Sequence, residues 1–296
     1  MVRDRNGAFL DARIKGKMKT DREITSTNPI AIGDRVIFEM EDTEARTAVI
    51  REILPRRNYI IRVSPHNKNQ KHIIAANLDQ AVVIATITGP RTSQGFIDRF
   101  LLTAEAYHIP AVVVINKTDL LKEKHKAQLA HWQEMYAAAG YEVIAVTAHE
   151  SATAGLLERK IRDKTTLFCG HSGVGKSTLI NQLIPGSGLR TAAVSDWSGK
   201  GMHTTTFAEM FDLPGGGRII DTPGVKEFGL AGFERELLSH YFPEMRAVLG
   251  ACRFNNCLHA DEPGCAVKDA VNEGRIDPDR YVSYRTILDS IEKKWT

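Results

Sequence analysis

Gly170-His171-Ser172-Gly173-Val174-Gly175-Lys176-Ser177 matches the phosphate-loop pattern G-x-x-x-x-G-K-[ST] at every fixed position. The residues before it, Thr165-Thr166-Leu167-Phe168-Cys169, suit a short buried strand. Those after it, Thr178-Leu179-Ile180-Asn181-Gln182-Leu183-Ile184, place apolar residues three and four apart, as a helix start does. Strand, glycine loop and helix is the context the pattern needs. The glycines let backbone N–H groups converge on phosphate oxygens, and the helix N-terminus adds a partial positive charge. Lys176 is then expected at the outer phosphates, and Ser177 as a ligand of Mg²⁺. The competing reading is a chance match in a glycine-rich turn, which would not explain both flanks.

Upstream, Ala81 to Thr88 and Ala111 to Ile115 are apolar runs. Between them, Phe96 to Tyr107 carries Phe96, Ile97, Phe100, Leu101 and Ala104 on one helical face. This alternation predicts a mostly parallel sheet with helices on both faces. Ligands of such sheets bind at the carboxyl ends of the strands. Asn116-Lys117-Thr118-Asp119 stands at the end of the second strand and reads N-K-x-D. The Asp119 carboxylate can accept from both the ring N–H and the exocyclic amine of guanine. Adenine offers no such pair, and discrimination of this kind reaches a factor on the order of 10⁴. The Lys117 stem is expected along the base, with Asn116 tying the loops together. A plain helix cap at Thr118 or Asp119 is the alternative. An amphipathic helix around Ala127 to Ala139 and the strand Glu142 to Val146 come next. The strand ends at Thr147-Ala148-His149, which resembles the last guanine-contacting loop of GTPases, where a backbone N–H meets the base oxygen.

Downstream of the phosphate loop, Ser195 to Thr206 is polar and glycine-rich and reads as a mobile loop. Thr204 or Thr205 is the candidate to ligate Mg²⁺ when a γ-phosphate is present, and the pattern does not choose between them. Asp221-Thr222-Pro223-Gly224 reads D-x-x-G. Asp221 is expected to hold Mg²⁺ through water, and the Gly224 N–H to sense the γ-phosphate. Val225 stands where Ras-like enzymes carry the glutamine that orients the attacking water. Valine cannot hydrogen-bond to water, so His203, beside the two threonines, is the catalytic candidate. Its alternative role is contact with RNA or solvent.

Residues 1–72 carry several short β-branched runs, Arg35 to Met40, Thr47 to Ile53 and Tyr59 to Val63, broken by Gly33-Asp34 and Pro55. They predict a small barrel of the oligonucleotide-binding (OB) type. Lys and Arg number 15 there against 10 Asp and Glu, whereas 73–232 is balanced at 15 each and 233–296 has 9 against 11. Arg51, Arg56, Arg57, Arg62, Lys68 and Lys71 lie near Tyr59 and His66, a mixture of cations and rings that suits RNA. Charged edges that discourage strand pairing would look the same. In the last segment, Cys252-x4-Cys257-x-His259-x5-Cys265 supplies three thiolates and one imidazole, a closed structural zinc set with no position left for a catalytic water. The segment is too small to bury much core, so zinc would supply its folding energy, and chelation is expected to unfold it while sparing the nucleotide site. At 296 residues, with 43% hydrophobic and 25% charged residues, the chain has ample core for three domains, placed here at 1–72, 73–232 and 233–296. No secretory signal and no apolar run long enough for a bilayer are visible, so a cytoplasmic protein is expected.

The order of the motifs departs from Ras-like proteins, where the phosphate loop precedes N-K-x-D. Here Asn116 to Asp119 come first, as circular permutation allows when the original termini lie close together. This order, the basic barrel before it and the cysteine cluster behind it resemble the ribosome small-subunit-dependent GTPase A family (RsgA, also YjeQ or YloQ). The resemblance covers essentially the whole chain. It includes Ile74 to Gln80, Ile97-Asp98-Arg99-Phe100-Leu101, Gly170 to Thr178 and His203-Thr204-Thr205, with Met202 as a departure where a basic residue is expected. It implies a monomeric GTP hydrolase that cycles between GTP and GDP, binds the small ribosomal subunit and its 16S-type rRNA late in maturation, and turns over faster there. A nucleotide-gated RNA-binding module with incidental hydrolysis is the runner-up. A metabolic ATPase conflicts with Asp119.

Overall fold

The computed structural model describes residues 1–15, 29–63, 71–148, 150–189, 208–222 and 233–291. The chain divides into two compact units, Met1–Leu78 and Asp79–Thr296. The boundary expected at 72/73 falls inside a strand, and the first unit runs on to Leu78 because that strand pairs backwards.

In the first unit, β1 (Val2–Arg3), β2 (Phe9–Ile14), β4 (Thr47–Ile53) and β3 (Val36–Asp42) form a sheet in that order. The β2–β4 pairing is parallel, and the β1–β2 and β3–β4 pairings are antiparallel. β5 (Tyr59–Val63) and β6 (Lys71–Ala76) form an antiparallel pair, joined to Ile32 by a bridge at Ala75. Leu10, Ala48, Ile50, Ile60, Ala75 and Ala76 are buried. Three arginines of the expected basic patch are engaged within the unit. Arg51 pairs with Glu39 across β4 and β3. Arg56 bonds Asp34 at 2.7 Å, with side chains 11% and 1% exposed, and reaches the Pro29 carbonyl at 2.9 Å. Arg57 Nη2 donates to the Leu78 carbonyl at 2.7 Å.

The second unit is built on a six-stranded sheet. Its strands are β7 (Gln80–Ala85), β8 (Ala111–Ile115), β9 (Glu142–Ala145), β10 (Thr165–Gly170), β11 (Glu209–Asp212) and β12 (Arg218–Asp221), in the order β11-β12-β10-β7-β8-β9. All pairings are parallel except β11 with β12. All six residues of β7 are buried, as in a sheet covered on both faces. The phosphate-loop strand β10, late in the chain, lies between β12 and β7. Asp79 and Thr165 stitch its amino end to β7, the Asp79 N–H donating to the Thr165 carbonyl at 2.9 Å and the Thr165 N–H to the Asp79 carboxylate at 2.8 Å. Helices α1 (Gln94–Ala106), α2 (Glu123–Ala138), α3 (Ser151–Ile161) and α4 (Lys176–Leu183) connect the strands. Ser93 caps α1 by accepting from the Phe96 N–H at 3.2 Å.

The tail belongs to this same unit. A 3₁₀ turn at Arg235–Tyr241, then α5 (Pro243–Arg246), α6 (Ala266–Asn272) and α7 (Pro278–Ser290) enclose Leu238, Phe242, Met245, Val267, Tyr284 and Ile287. The same cluster takes in Leu102 of α1. Arg280 of α7 bonds Asp98 of α1 at 2.5 Å, with both side chains buried. His131 of α2 meets Asp279 at the start of α7, Nε2 to Oδ2 3.0 Å. No helix among the described residues is long and apolar enough to cross a membrane.

Candidate nucleotide site and metal cluster

β10 ends at Gly170 and α4 begins at Lys176, so His171 to Gly175 form the loop between them. Two of its glycines are dictated by close approach. A Cβ on Gly170 would stand 2.6 Å from the Ile84 carbonyl oxygen of the neighbouring strand. One on Gly175 would stand 2.3 Å from Asn116 Nδ2, and Gly175 has φ +92°, which side chains rarely adopt. Ser172 and Gly173 are exposed, and Ser177 and Thr178 are half-buried in the first turn of α4.

Asn116 is the residue that joins the motifs. It is 1% exposed, its Nδ2 donates to the Val174 carbonyl at 2.8 Å, and its Oδ1 accepts from the Ala148 N–H at 3.2 Å. One amide thus ties the N-K-x-D loop to the phosphate loop and to the Thr147-Ala148 loop. Lys117 sits in the left-handed region at φ 61°, and its Nζ donates to the Gly89 carbonyl at 2.6 Å. Partial burial lowers its pKa, against the pull of Asp119. Thr118 Oγ1 lies 2.9 Å from Thr147 Oγ1 and 3.1 Å from the Val146 carbonyl, so its hydroxyl braces one loop on the other. The Asp119 carboxylate is exposed at the rim in the turn Thr118–Leu120.

At the other end, Lys176 Nζ forms an ion pair with Asp221 and donates to the Thr222 carbonyl at 2.7 Å. Burial raises the Asp221 pKa, and Lys176 opposes that rise. Lys176, expected at the phosphates, and Asp221, expected at the Mg²⁺, are therefore in direct contact. His203, Thr204, Thr205 and Gly224 lie outside the described residues.

The strand ends thus bring Asn116 to Asp119, Thr147-Ala148, Gly170 to Ser177 and Asp221 to one edge of one sheet. The RsgA GTPase family model matches residues 53–231. The chain belongs to the RsgA GTPase family. A protein of Christiangramia forsetii named small ribosomal subunit biogenesis GTPase RsgA is 45% identical over 295 residues, covering 99% of this chain and 93% of its own. One of Bacteroides thetaiotaomicron, named small ribosomal subunit biogenesis GTPase RsgA 2, is 46% identical over 292 residues, again covering 99% and 93%. The crystal structure of YjeQ from Thermotoga maritima superposes with a TM-score of 0.77 at 30% identity, over 99% of this chain and 93% of that one. That of YloQ, described as a circularly permuted GTPase, gives 0.70 at 28% identity over 93% and 86%.

This RsgA-family chain also gathers its C-terminal cysteines. The ligand atoms of Cys252, Cys257, His259 and Cys265 all lie within 4.8 Å of one another. His259 Nδ1 is 3.7 Å from Cys252 Sγ and 3.4 Å from Cys265 Sγ. A tetrahedral ion with bonds of about 2.3 Å to sulfur and about 2.0 Å to nitrogen separates them by about 3.6 Å, so the donor set fits such an ion. Burial pushes the Cys257 thiol up to about 12 and lowers the pKa of His259. The thiol is therefore protonated at neutral pH unless a cation replaces the proton. Tyr281 and Tyr284 of α7 donate to the carbonyls of His259 at 2.6 Å and Leu258 at 2.8 Å, fixing the ligand loop.

The sequence did not reveal the carbonyl of Gly89 as the partner of Lys117, nor the buried Asp98–Arg280 pair. A signal for the latter existed: Asp98 stands three and four residues before Leu101 and Leu102, so helical spacing sets a carboxylate beside apolar side chains.

Proposed function

We propose that this protein binds GTP with Mg²⁺, hydrolyses it to GDP and phosphate, and acts in the late maturation of the small ribosomal subunit in the cytoplasm. The observation that carries the GTP reading is the Asn116 amide, which holds the base-reading and phosphate-holding loops in one cleft despite their reversed order in the chain. Asp119 would read guanine, Lys117 would lie along the base, and a backbone N–H of the Thr147-Ala148-His149 loop would meet its oxygen. Thr147 and Thr118 support that edge. Gly170 to Thr178 would wrap the phosphates, with Lys176 on the outer ones. Ser177, Asp221 and either Thr204 or Thr205 would hold Mg²⁺. Gly224 would sense the γ-phosphate, and His203 would position the water that Val225 cannot. The ion supplies charge neutralisation at the phosphates.

The names of the relatives support the ribosomal role. In this reading the first unit, read from the sequence as 1–72 and carried to Leu78 by the β5–β6 pairing, is the OB-type barrel that contacts 16S-type rRNA. Within the second unit the stretch to 232 is the permuted GTPase domain and 233–296 a helical domain closed by one structural zinc on Cys252, Cys257, His259 and Cys265. The protein acts as a monomer. Its test is GTP turnover with and without purified small subunits across a salt series. Stimulation that declines with salt is expected, because rRNA contacts displace counterions. A turnover indifferent to subunits rejects the ribosomal role. Equal competition by ATP and GTP rejects the guanine assignment. Subunit-stimulated turnover that survives His203→Ala rejects the water-positioning role.

A further inference from the structure

The phosphate loop leans on an element that the nucleotide motifs do not include. The imidazole of His171, first residue of the loop, lies against the ring of Phe96 on α1, with centroids 3.8 Å apart and planes inclined by 33°. Two residues further along α1 is Asp98. Two residues turn a helix by about 200°, so Asp98 leaves the opposite face. There Asp98 Oδ1 accepts from Arg280 Nη1 of α7 at 2.5 Å and from the Tyr136 hydroxyl of α2 at 3.0 Å. The same guanidinium donates through Nε to Glu244 of α5 at 2.7 Å and lies 4.7 Å from the centroid of Phe242. Burial lowers the Arg280 pKa, but Asp98 and Glu244 outweigh it and the net shift is upward. Helix α1 is therefore clamped, with the phosphate loop on one face and the cysteine-bearing tail on the other.

We propose that Arg280 and Phe96 are positioning residues for GTP turnover: Arg280 braces α1 through Asp98, and Phe96 on the far face of that helix sets His171 and, with it, the phosphate loop. Both would act through other residues, Phe96 through His171 and Arg280 through Asp98. The backbone N–H groups of a phosphate loop act only if their geometry is kept, and displacements on the order of 1 Å cost as much as 10²-fold in rate. A fork bonded to two carboxylates cannot be reproduced by lysine, whose ammonium is a point charge.

The test uses the full zinc-loaded chain. The first readout is the His171 Cε1–H resonance, assigned by its loss in His171→Gln and displaced by the ring current of Phe96. The second is kcat and KM for GTP. Phe96→Leu is expected to move the resonance and to raise KM about tenfold, while Phe96→Tyr restores both. Arg280→Ala would strand two buried carboxylates and could fail to fold. The informative variant is therefore Asp98→Asn/Glu244→Gln/Arg280→Met, which leaves no unpaired buried charge. It is expected to shift His171 in the direction Phe96→Leu does, although no substituted residue touches His171. Arg280→Lys gives the same readout should the triple variant not fold. A folded variant lacking the Asp98–Arg280 pair with an unmoved His171 resonance overturns the brace. Unchanged kcat and KM in Phe96→Leu overturns the positioning role.

Discussion

Asn116→Ala is the substitution that most directly tests how the cleft is assembled. The side chain is 1% exposed and satisfies two buried groups, the Val174 carbonyl at 2.8 Å and the Ala148 N–H at 3.2 Å, in residues 0% and 5% exposed. Truncation leaves both without a partner. Each orphaned group costs about 1–3 kcal/mol, so the loss is about 2–6 kcal/mol. Part of this appears as lost stability and part as lost coupling between loops. If about 2 kcal/mol falls on the coupling, GDP affinity drops by about 30-fold. Urea unfolding without nucleotide reads the first part, and titration with a fluorescent GDP analogue reads the second. Asn116→Asp keeps the size but turns an oxygen toward the Val174 carbonyl, so it is expected to fare no better. An Asn116→Ala protein with the parent's urea midpoint and an unchanged GDP affinity would refute the reasoning. So would an Asn116→Asp protein that behaves as the parent, since geometry alone would then suffice.

Asp119→Asn replaces a double acceptor by a group that repels one guanine N–H, and the loss of two charge-assisted bonds is expected to weaken GDP by on the order of 10²-fold or more; unaltered selectivity for GDP over ADP in competition would contradict it. Arg56→Ala takes the cation from Asp34, 1% exposed, while the Ala31 N–H still donates to its carboxylate at 2.8 Å. The cost is about 3–5 kcal/mol, seen as a lower melting temperature; an unchanged melt with weakened RNA binding would instead make Arg56 a surface contact. Because burial holds the Cys257 thiol at about 12, a bound metal must displace its proton. Metal affinity is then expected to rise with pH and binding to release protons, measured by calorimetry in buffers of different ionisation enthalpy; pH-independent affinity argues against thiolate ligation. Chelation is expected to abolish amide-exchange protection of the loop around His259. If the brace through Arg280 and α1 operates, GTP binding also weakens modestly; the sequence-based expectation is that the nucleotide site is spared, and the titration with and without chelator separates the two.

How far the sequence could be read depended on how local each determinant was. The strands β7, β8 and β10 were legible because a parallel strand covered on both faces is apolar throughout. β1, β2 and β6 were not, because partly exposed strands carry no continuous apolar run, and β2 in addition pairs with β4, some way along the chain. Helix α3 was missed for a similar reason: Leu156 of its few apolar residues is 47% exposed. The basic patch was legible only as charge, since composition counts Arg51, Arg56 and Arg57 and says nothing of Glu39, Asp34 and the Leu78 carbonyl that engage them.

From residue order alone came the chemistry: a loop that can wrap phosphates, a carboxylate that can read guanine, and four metal donors in metal-binding spacing, all recognisable within stretches of about a dozen residues. Folding decided which of these share a cleft. The order β11-β12-β10-β7-β8-β9 sets a strand from the end of the domain beside one from its beginning. Only that adjacency lets Asn116 bond Val174, and only the packing of α7 on α1 lets Arg280 find Asp98. Such contacts join residues separated by tens to hundreds of positions, and their energy exists only once the chain has closed around them.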